Sequence, residues 1–257
     1  MGGMRDWVAW HELYDDPSSV LSARLRLVQA QLADALDRAP AGPVRLLSLC
    51  AGQGRDVTGV LPTHPRRDDV SAVLIEANAE NAETARRNAA AAGVPQVEVR
   101  EADASRPSGY ADVLPADVLL LCGIFGNVSN ADIQRTIAAA PALSAPGATV
   151  IWTRHRRPPD LTPTVRTWFR EAGFAEVSFS SPEDAPRTAV GAGRLHRAAA
   201  SGGDGDGRPG GRDGPESADG PESADGPESA DGPESADGPE SAAAWPGEPL
   251  FIFRSRT

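Results

Sequence analysis

Four short stretches end in residue types that suit a nucleoside ligand. The run LLSLCAGQGRDV, Leu46 to Val57, reads as a buried strand, a glycine turn and then a helix. Cys50, Ala51, Gly52 and Gly54 form that turn, and its two glycines permit a tight bend and close approach of main chain to a ligand. Glu76 ends the next apolar run, 22 residues beyond Gly54. A carboxylate there can accept hydrogen bonds from both hydroxyls of a ribose. Asp103 and Ala104 follow a third run, and Cys122 and Gly123 open CGIFGN after a fourth.

These residues need a scaffold that brings strand ends together. The apolar runs Val44–Leu49, Ser71–Ile75, Gln96–Arg100, Asp117–Leu121 and Ala148–Thr153 read as strands. Helical spacing fits Ser19–Ala39, Ala79–Ala92, Asp132–Ala140 and Pro163–Ala172, the last with Thr162 as N-cap and Gly173 just past its end. Strands alternating with helices predict an α/β fold: a Rossmann-like, seven-stranded, mostly parallel sheet with helices on both faces. Ala175–Phe179 and Leu250–Phe253 have no helix between them, so they are expected to form an antiparallel terminal hairpin joined by an acidic loop. In open sheets of this kind ligands sit at the carboxyl ends of the strands, where all four stretches lie.

Two nucleoside cofactors suit such strand ends. A dinucleotide site wants G-x-G-x-x-G, and counted from Gly52 the last place is Val57, which removes the close helix approach over a pyrophosphate. S-adenosyl-L-methionine has no phosphate and needs a turn, a ribose acid and polar partners for adenine. The chain resembles a class I S-adenosylmethionine-dependent methyltransferase over roughly Val44–Phe179 plus the last strand. LLSLCAGQGRDV resembles its first motif, AVLIEANAENAETARRNAAAAG its second, VEVREADA its third, ADVLLLCGIFGNVSN its fourth, and LSAPGATVIW the turn into the fifth strand. The resemblance implies S-adenosyl-L-methionine as cofactor, with Glu76 on the ribose, Asp103 on the adenine amino group and the Ala104 amide on a ring nitrogen. Two positions depart from it: Ser48 stands where the family often has an acid, and Cys50 where it has a glycine. Asp56 or the Gly123 region could take over the amino group.

Methyl transfer is an in-line displacement, so the protein mostly positions the acceptor and needs a base only where a proton must leave. Two segments can cover the strand ends. DWVAWHELYDD offers Trp7, Trp10, His11 and Tyr14 as a lid, or as aromatics packing a helix on the sheet. WTRHRRPPD places Arg154, His155, Arg156 and Arg157 at the mouth: His155 as proton acceptor with arginines gripping an anion, or simply a solvated charged turn. His155 and Tyr14 are thus the catalytic candidates. No N-P-P-Y-like stretch follows the fourth strand, Cys122 lacks a preceding proline, and no basic stripe with aromatics points to RNA. A small-molecule acceptor is expected rather than nucleic acid. The alternatives are a non-catalytic cofactor-binding or scaffold protein and an NAD-dependent oxidoreductase.

Composition adds limits. Nearly all of the net charge of −11 falls in residues 201–243, where twelve acids face two arginines. The chain elsewhere is almost neutral, so its pI says little about the folded surface. All 25 basic residues are arginine. GPESAD repeats four times from Gly214 and closes as GPESAA, a unit too poor in apolar side chains to offset chain entropy. Residues 182–244 are therefore expected to be a disordered acidic insertion, 1–42 an N-terminal helical cap or lid, and 43–181 plus 245–257 the cofactor-binding domain. Two separated cysteines suggest neither a disulfide framework nor a metal site. The N-terminus has no signal-peptide core and no run reaches the about 20 residues of a membrane span, so a cytoplasmic location is expected.

Overall fold

The computed structural model describes residues 13–183, 185–196 and 249–253. Its strands are β1 (Val44–Leu49), β2 (Val70–Glu76), β3 (Val97–Glu101), β4 (Ala116–Leu121), β5 (Ser144–His155), β6 (Phe174–Ser180) and β7 (Thr188–Leu195). They form one sheet in the order β3-β2-β1-β4-β5-β7-β6. β1 pairs in parallel with β2 and β4, β2 with β3, and β4 with β5, while β7 runs antiparallel to both β5 and β6. The chain therefore steps outward from β1 to β3 and then crosses back to β4. That reversal opens a crevice above the carboxyl ends of β1 and β4, the general ligand position of open α/β sheets.

Among the described residues five α-helices cover the sheet: α1 (Val20–Arg38), α2 (Arg55–Val60), α3 (Ala79–Ala91), α4 (Asn130–Leu143) and α5 (Thr162–Glu171). The three- and four-residue spacing of Val28, Leu32 and Leu36 gives α1 one apolar stripe. That stripe packs with Val57 and Leu61 on Leu46, Val118, Leu120 and Ile151 of the sheet. On the opposite face Ile133, Ile137 and Leu143 of α4 and Val165 and Phe169 of α5 bury Leu47, Leu49, Leu119 and Trp152. Neighbouring residues of β1 thus go to opposite cores, as strand geometry requires. Each full burial of such a side chain stabilises the fold by about 1.5–3 kcal/mol.

Local signals set the helix ends. The Ser19 hydroxyl accepts from the Ser22 amide at 3.0 Å, Asn78 accepts from the Asn81 amide at 2.9 Å, and Ser129 with Asp132 forms a reciprocal capping box. At α5 the expected cap is displaced. Thr162 is already helical, and Asp160 accepts from both its amide, at 2.9 Å, and its hydroxyl, at 2.7 Å. Beyond α1, Arg66 donates to the carbonyls of Leu36, Ala39, Pro40 and Gly42 at 2.7–3.0 Å and so clamps the turn into β1.

Three expectations need correction. The strand paired with β6 is Thr188–Leu195, not Leu250–Phe253, and the short link 181–187 joins the hairpin. Gly191 and Gly193 weaken the strand signal in TAVGAGRL. Here, though, Gly191 faces Trp152, whose indole occupies the space a Cβ would need. The segment Pro249–Phe253 lies instead on the α4 side, with Leu250 and Phe251 buried in the core. Residues 182–244 are consequently not one insertion, since β7 falls inside that range; the GPESAD repeats lie outside the described residues. Within the expected 1–42 cap, α1 is a layer of the fold with Leu32 and Leu36 fully buried, and residues 1–12 lie outside the described residues. Among the described residues no helix is long and apolar enough to cross a membrane.

Candidate functional site

The turn after β1 is wound by three residues with positive φ: Cys50 at 57°, Gly52 at 57° and Gly54 at 67°. The Ala51 amide donates to the Ile75 carbonyl and the Gly54 amide to the Ala51 carbonyl, each at 3.0 Å, so the turn is tied to β2 and to itself. Gly54 has the left-handed φ that strains any side chain, and a Cβ there would lie 2.7 Å from Leu74 Cδ2, which would have to shift. Cys50 adopts the left-handed conformation although it carries a side chain, an arrangement that costs about 1–2 kcal/mol. It stands where the resembling family has glycine, and the backbone has kept the glycine geometry.

Glu76 faces this turn from the end of β2. One carboxylate oxygen accepts from the Gly52 amide at 2.7 Å and the other from the Asn78 amide at 2.8 Å. Burial raises its pKa, offset by the amides of Asn78, Gly52 and Ala77. Asp103 lies exposed beyond β3, its Oδ1 accepting from the Ser105 amide at 2.9 Å and its Oδ2 3.4 Å from Arg106 Nε. Ala104 is buried, and its carbonyl accepts from the Tyr110 hydroxyl at 3.0 Å. Cys50, Glu76, Asp103 and Tyr110 share one neighbourhood. Burial raises the Cys50 pKa and the charges of Glu76 and Asp103 push it further, so the thiol stays protonated. Tyr110 is raised by burial, then by Cys50 and Asp103.

A second cluster flanks the turn on its other side. Arg24 of α1 donates to the Tyr14 hydroxyl, and the Arg24 and Arg55 guanidinium carbons stand 6.0 and 5.7 Å from the Tyr14 ring centre. Arg55 also bonds Asp15 at 2.7 Å, which fastens the first described turn, Leu13–Asp15, over the start of α2. Asp56 is 8% exposed, and burial lifts its pKa to about 6 against the amides of Val57 and Asp56 and the charge of Arg24. Cys122, at the end of β4, is raised by burial and then by Asp56. Tyr14 is raised by burial; Arg24 lowers it, while Asp56 and Cys122 add to the rise. Ser48 is 1% exposed and its hydroxyl has no hydrogen-bond partner among the described residues. Asp56, the second residue of α2, is the buried carboxylate of this cluster. Trp7, Trp10 and His11 lie outside the described residues.

The far wall comes from β4 and β5. Gly123 has φ of 80° and open space where a Cβ would stand; its amide donates to Thr153 Oγ1 at 2.9 Å and its carbonyl accepts from Asn127 Nδ2 at 2.7 Å. His155 ends β5 with its ring against Gly126, Cδ2 lying 3.4 Å from the place of a Cβ. Its Nδ1 is buried without a hydrogen-bond partner among the described residues. Burial lowers its pKa, and Arg154 and Arg157 lower it further, so the ring is neutral at pH 7. The arginines beside it differ: Arg154 donates to the Phe125 carbonyl, Arg156 bonds Asp160 at 3.0 Å and lies over Phe179, and Arg157 is exposed. The nine cofactor candidates thus all gather at the crevice, with Tyr14 above β1 and β4 and His155 above β4 and β5. Arg24, Thr153 and the Glu76–Asn78 bond carried no sequence signal, since an arginine on an amphipathic helix and a threonine in an apolar strand look ordinary.

No protein-family profile and no curated protein matches the chain. Solved structures do. An O-methyltransferase family protein of Burkholderia thailandensis is similar at 18% identity and a TM-score of 0.59, covering 76% of this chain. This chain spans only 62% of that protein's length. The 1,6-didemethyltoxoflavin-N1-methyltransferase of the same organism, with 1,6-didemethyltoxoflavin and S-adenosylhomocysteine bound, matches at 18% identity and 0.55, over 74% of this chain and 87% of its own. The CurJ carbon methyltransferase matches at 16% and 0.56, over 74% and 58%. The chain therefore has the Rossmann-like fold seen in these methyltransferases.

Proposed function

We propose that this chain is an S-adenosyl-L-methionine-dependent methyltransferase acting on a small-molecule acceptor. The observation that carries the reading is Glu76. Its carboxylate is oriented by main-chain amides at the switch point of the sheet and keeps acceptor capacity for a ribose hydroxyl. Asp103, already turned by the Ser105 amide, takes the adenine amino group, and the Ala104 amide a ring nitrogen. Main chain of Cys50, Ala51, Gly52 and Gly54 lines the turn, with Cys122 and Gly123 closing the far side. Asp56 holds the ammonium and Arg24, braced by Tyr14, the carboxylate of the methionine end. That arrangement supplies at α2 the acid that Ser48 lacks.

When bound, the cofactor supplies a methyl group on a sulfonium. Tyr14 and its neighbours cover the β1–β4 mouth and exclude water, while neutral His155 accepts the acceptor's proton where one must leave. The names of the three similar methyltransferases span oxygen, nitrogen and carbon transfer, so the acceptor atom is left open. The toxoflavin-precursor enzyme supports a small molecule. A non-catalytic cofactor-binding protein is the second reading, favoured by Arg156 being engaged with Asp160 and Phe179 instead of facing an acceptor. Val57 is fully buried against the sheet and speaks against a dinucleotide.

Calorimetric titration with S-adenosylmethionine, S-adenosylhomocysteine and NAD, on the protein and on Glu76→Ala, tests this. Micromolar binding of the adenosyl ligands, weakened about a hundredfold in the variant by loss of a charge-assisted pair of hydrogen bonds, is the expected result. No adenosyl binding overturns it. Binding without release of S-adenosylhomocysteine on any of a panel of phenols, amines and enols leaves the binding-protein reading.

A further inference from the structure

The five residues Pro249–Phe253 do more than fill a gap in the core. They cross α4 and touch the loops after β3 and β4, the two loops that carry Asp103 and Gly123. Toward β3, the Leu250 amide donates to the Ser105 carbonyl at 2.9 Å, and the Ser105 amide donates to Asp103 Oδ1 at 2.9 Å. Two hydrogen bonds in series thus link the segment to the Asp103 carboxylate. Toward β4, Phe253 forms an isolated antiparallel bridge with Val128. Its neighbour Asn127 donates to the Gly123 carbonyl at 2.7 Å. Between these ends Thr136 Oγ1, whose proton goes chiefly to the Asp132 carbonyl at 2.7 Å, shares it with the Leu250 carbonyl at 3.2 Å, Arg135 reaches the Pro249 carbonyl at 3.4 Å, and the Ile252 amide donates to the Asp132 carboxylate. Leu250 and Phe251, 3% and 2% exposed, anchor it.

We infer that Pro249–Phe253 is a positioning strap for the cofactor site, setting the Asp103 and Gly123 loops through Ser105 and Asn127. The inference rests on the methyltransferase reading for the identity of the ligand. Its physical basis does not: the loops after β3 and β4 are irregular backbone, and irregular backbone keeps one conformation only where partners over-determine it. Residues 197–248 separate the strap from β7, so its place is set by these bonds and two buried side chains rather than by a short connection.

The test uses the full chain with three substitutions. Phe251→Ala and the milder Thr136→Val each loosen the strap, whereas Leu36→Ala removes an equally buried side chain from the opposite core. Dissociation constants for S-adenosylhomocysteine are measured beside melting temperature, and hydrogen exchange is followed at 103–106 and 123–128. Expected are a roughly tenfold rise in the constant for Phe251→Ala and a threefold rise for Thr136→Val, with faster exchange in both loops. Leu36→Ala lowers the melting temperature with the constant within twofold, and Phe251→Leu regains most of the affinity. An unchanged constant and unchanged exchange in the two strap variants would overturn the inference, as would an equal loss of affinity in Leu36→Ala. If the parent chain binds no adenosyl ligand the functional reading fails instead, and exchange at 103–106 and 123–128 still decides whether the strap sets those loops.

Discussion

The two halves of the crevice are built differently. Above β1, β2 and β3 the groups that matter are held by main chain: Glu76 by the Gly52 and Asn78 amides, Asp103 by Ser105, and the turn by its own carbonyls. Above β4 and β5 the wall is made of side chains that depend on one another. His155 lies on Gly126, Arg156 is engaged with Asp160 and Phe179, and Phe125, Trp152 and Phe169 pack at ring distances of 5.7–6.2 Å beneath them. A main-chain site keeps its geometry through many substitutions because every residue brings the same amide. A side-chain site changes with each substitution.

The largest test of that contrast falls on the side-chain half. His155→Gln should lower turnover of any acceptor found by about a hundredfold while the S-adenosylhomocysteine constant stays within twofold. Because the His155 pKa lies below its ordinary 6.5, the acid limb of the rate profile should fall below that value. The folded state binds this proton more weakly than the unfolded chain, so stability should also decline as pH drops through 6.5. Loss of cofactor affinity in this variant would mean that the two halves are one.

Next comes the packing that supports the same half. Gly191→Ala drives a Cβ into the Trp152 ring and should cost about 2 kcal/mol, a fall of roughly 4–8 °C in a thermal melt. Turnover should suffer more than cofactor binding, which titration of the folded variant would check.

Two smaller effects belong to the turn after β1 and the side-chain cluster beside it. Asp56 protonates near pH 6 in the folded state, above its ordinary 3.8, so the native protein gains stability as pH falls from 8 toward 4. Asp56→Asn removes that dependence. It should be more stable than the parent by about 1–2 kcal/mol at pH 8 and no more stable at pH 4, at the expense of cofactor affinity. A melting difference that does not change with pH would show that Asp56 carries no such strain. Cys50→Gly relieves the left-handed backbone at 57° and should raise the melting temperature by about 2–4 °C without weakening the adenosyl ligands. A lower melting temperature would show that the packing of the thiol on the core outweighs its backbone.

Legibility in the sequence followed the same division. The glycine turn, Glu76, Asp103–Ala104 and Cys122–Gly123 could be named as candidates because strand ends carry a readable pattern of residue types. Tyr14 and His155 could be named only as candidates, residues able to do chemistry in segments near the strand ends. Arg24 and Thr153 could not be found at all, since their partners lie on other elements. The terminal strand was misplaced for a related reason: PLFIFRS has the stronger strand composition, but TAVGAGRL has the glycines that make room for Trp152.

By itself, then, the sequence determined the alternation of strands and helices, the parallel sheet, the strand-end turn and the carboxylates around it. These follow from periodicity and turn chemistry, which act over a few residues. Only the tertiary structure decided which strand closes the sheet, that α1 is a layer rather than a lid, and that Pro249–Phe253 reaches back to the Asp103 and Gly123 loops. Those choices turn on whether one side chain fits the space another leaves, and no local pattern records that.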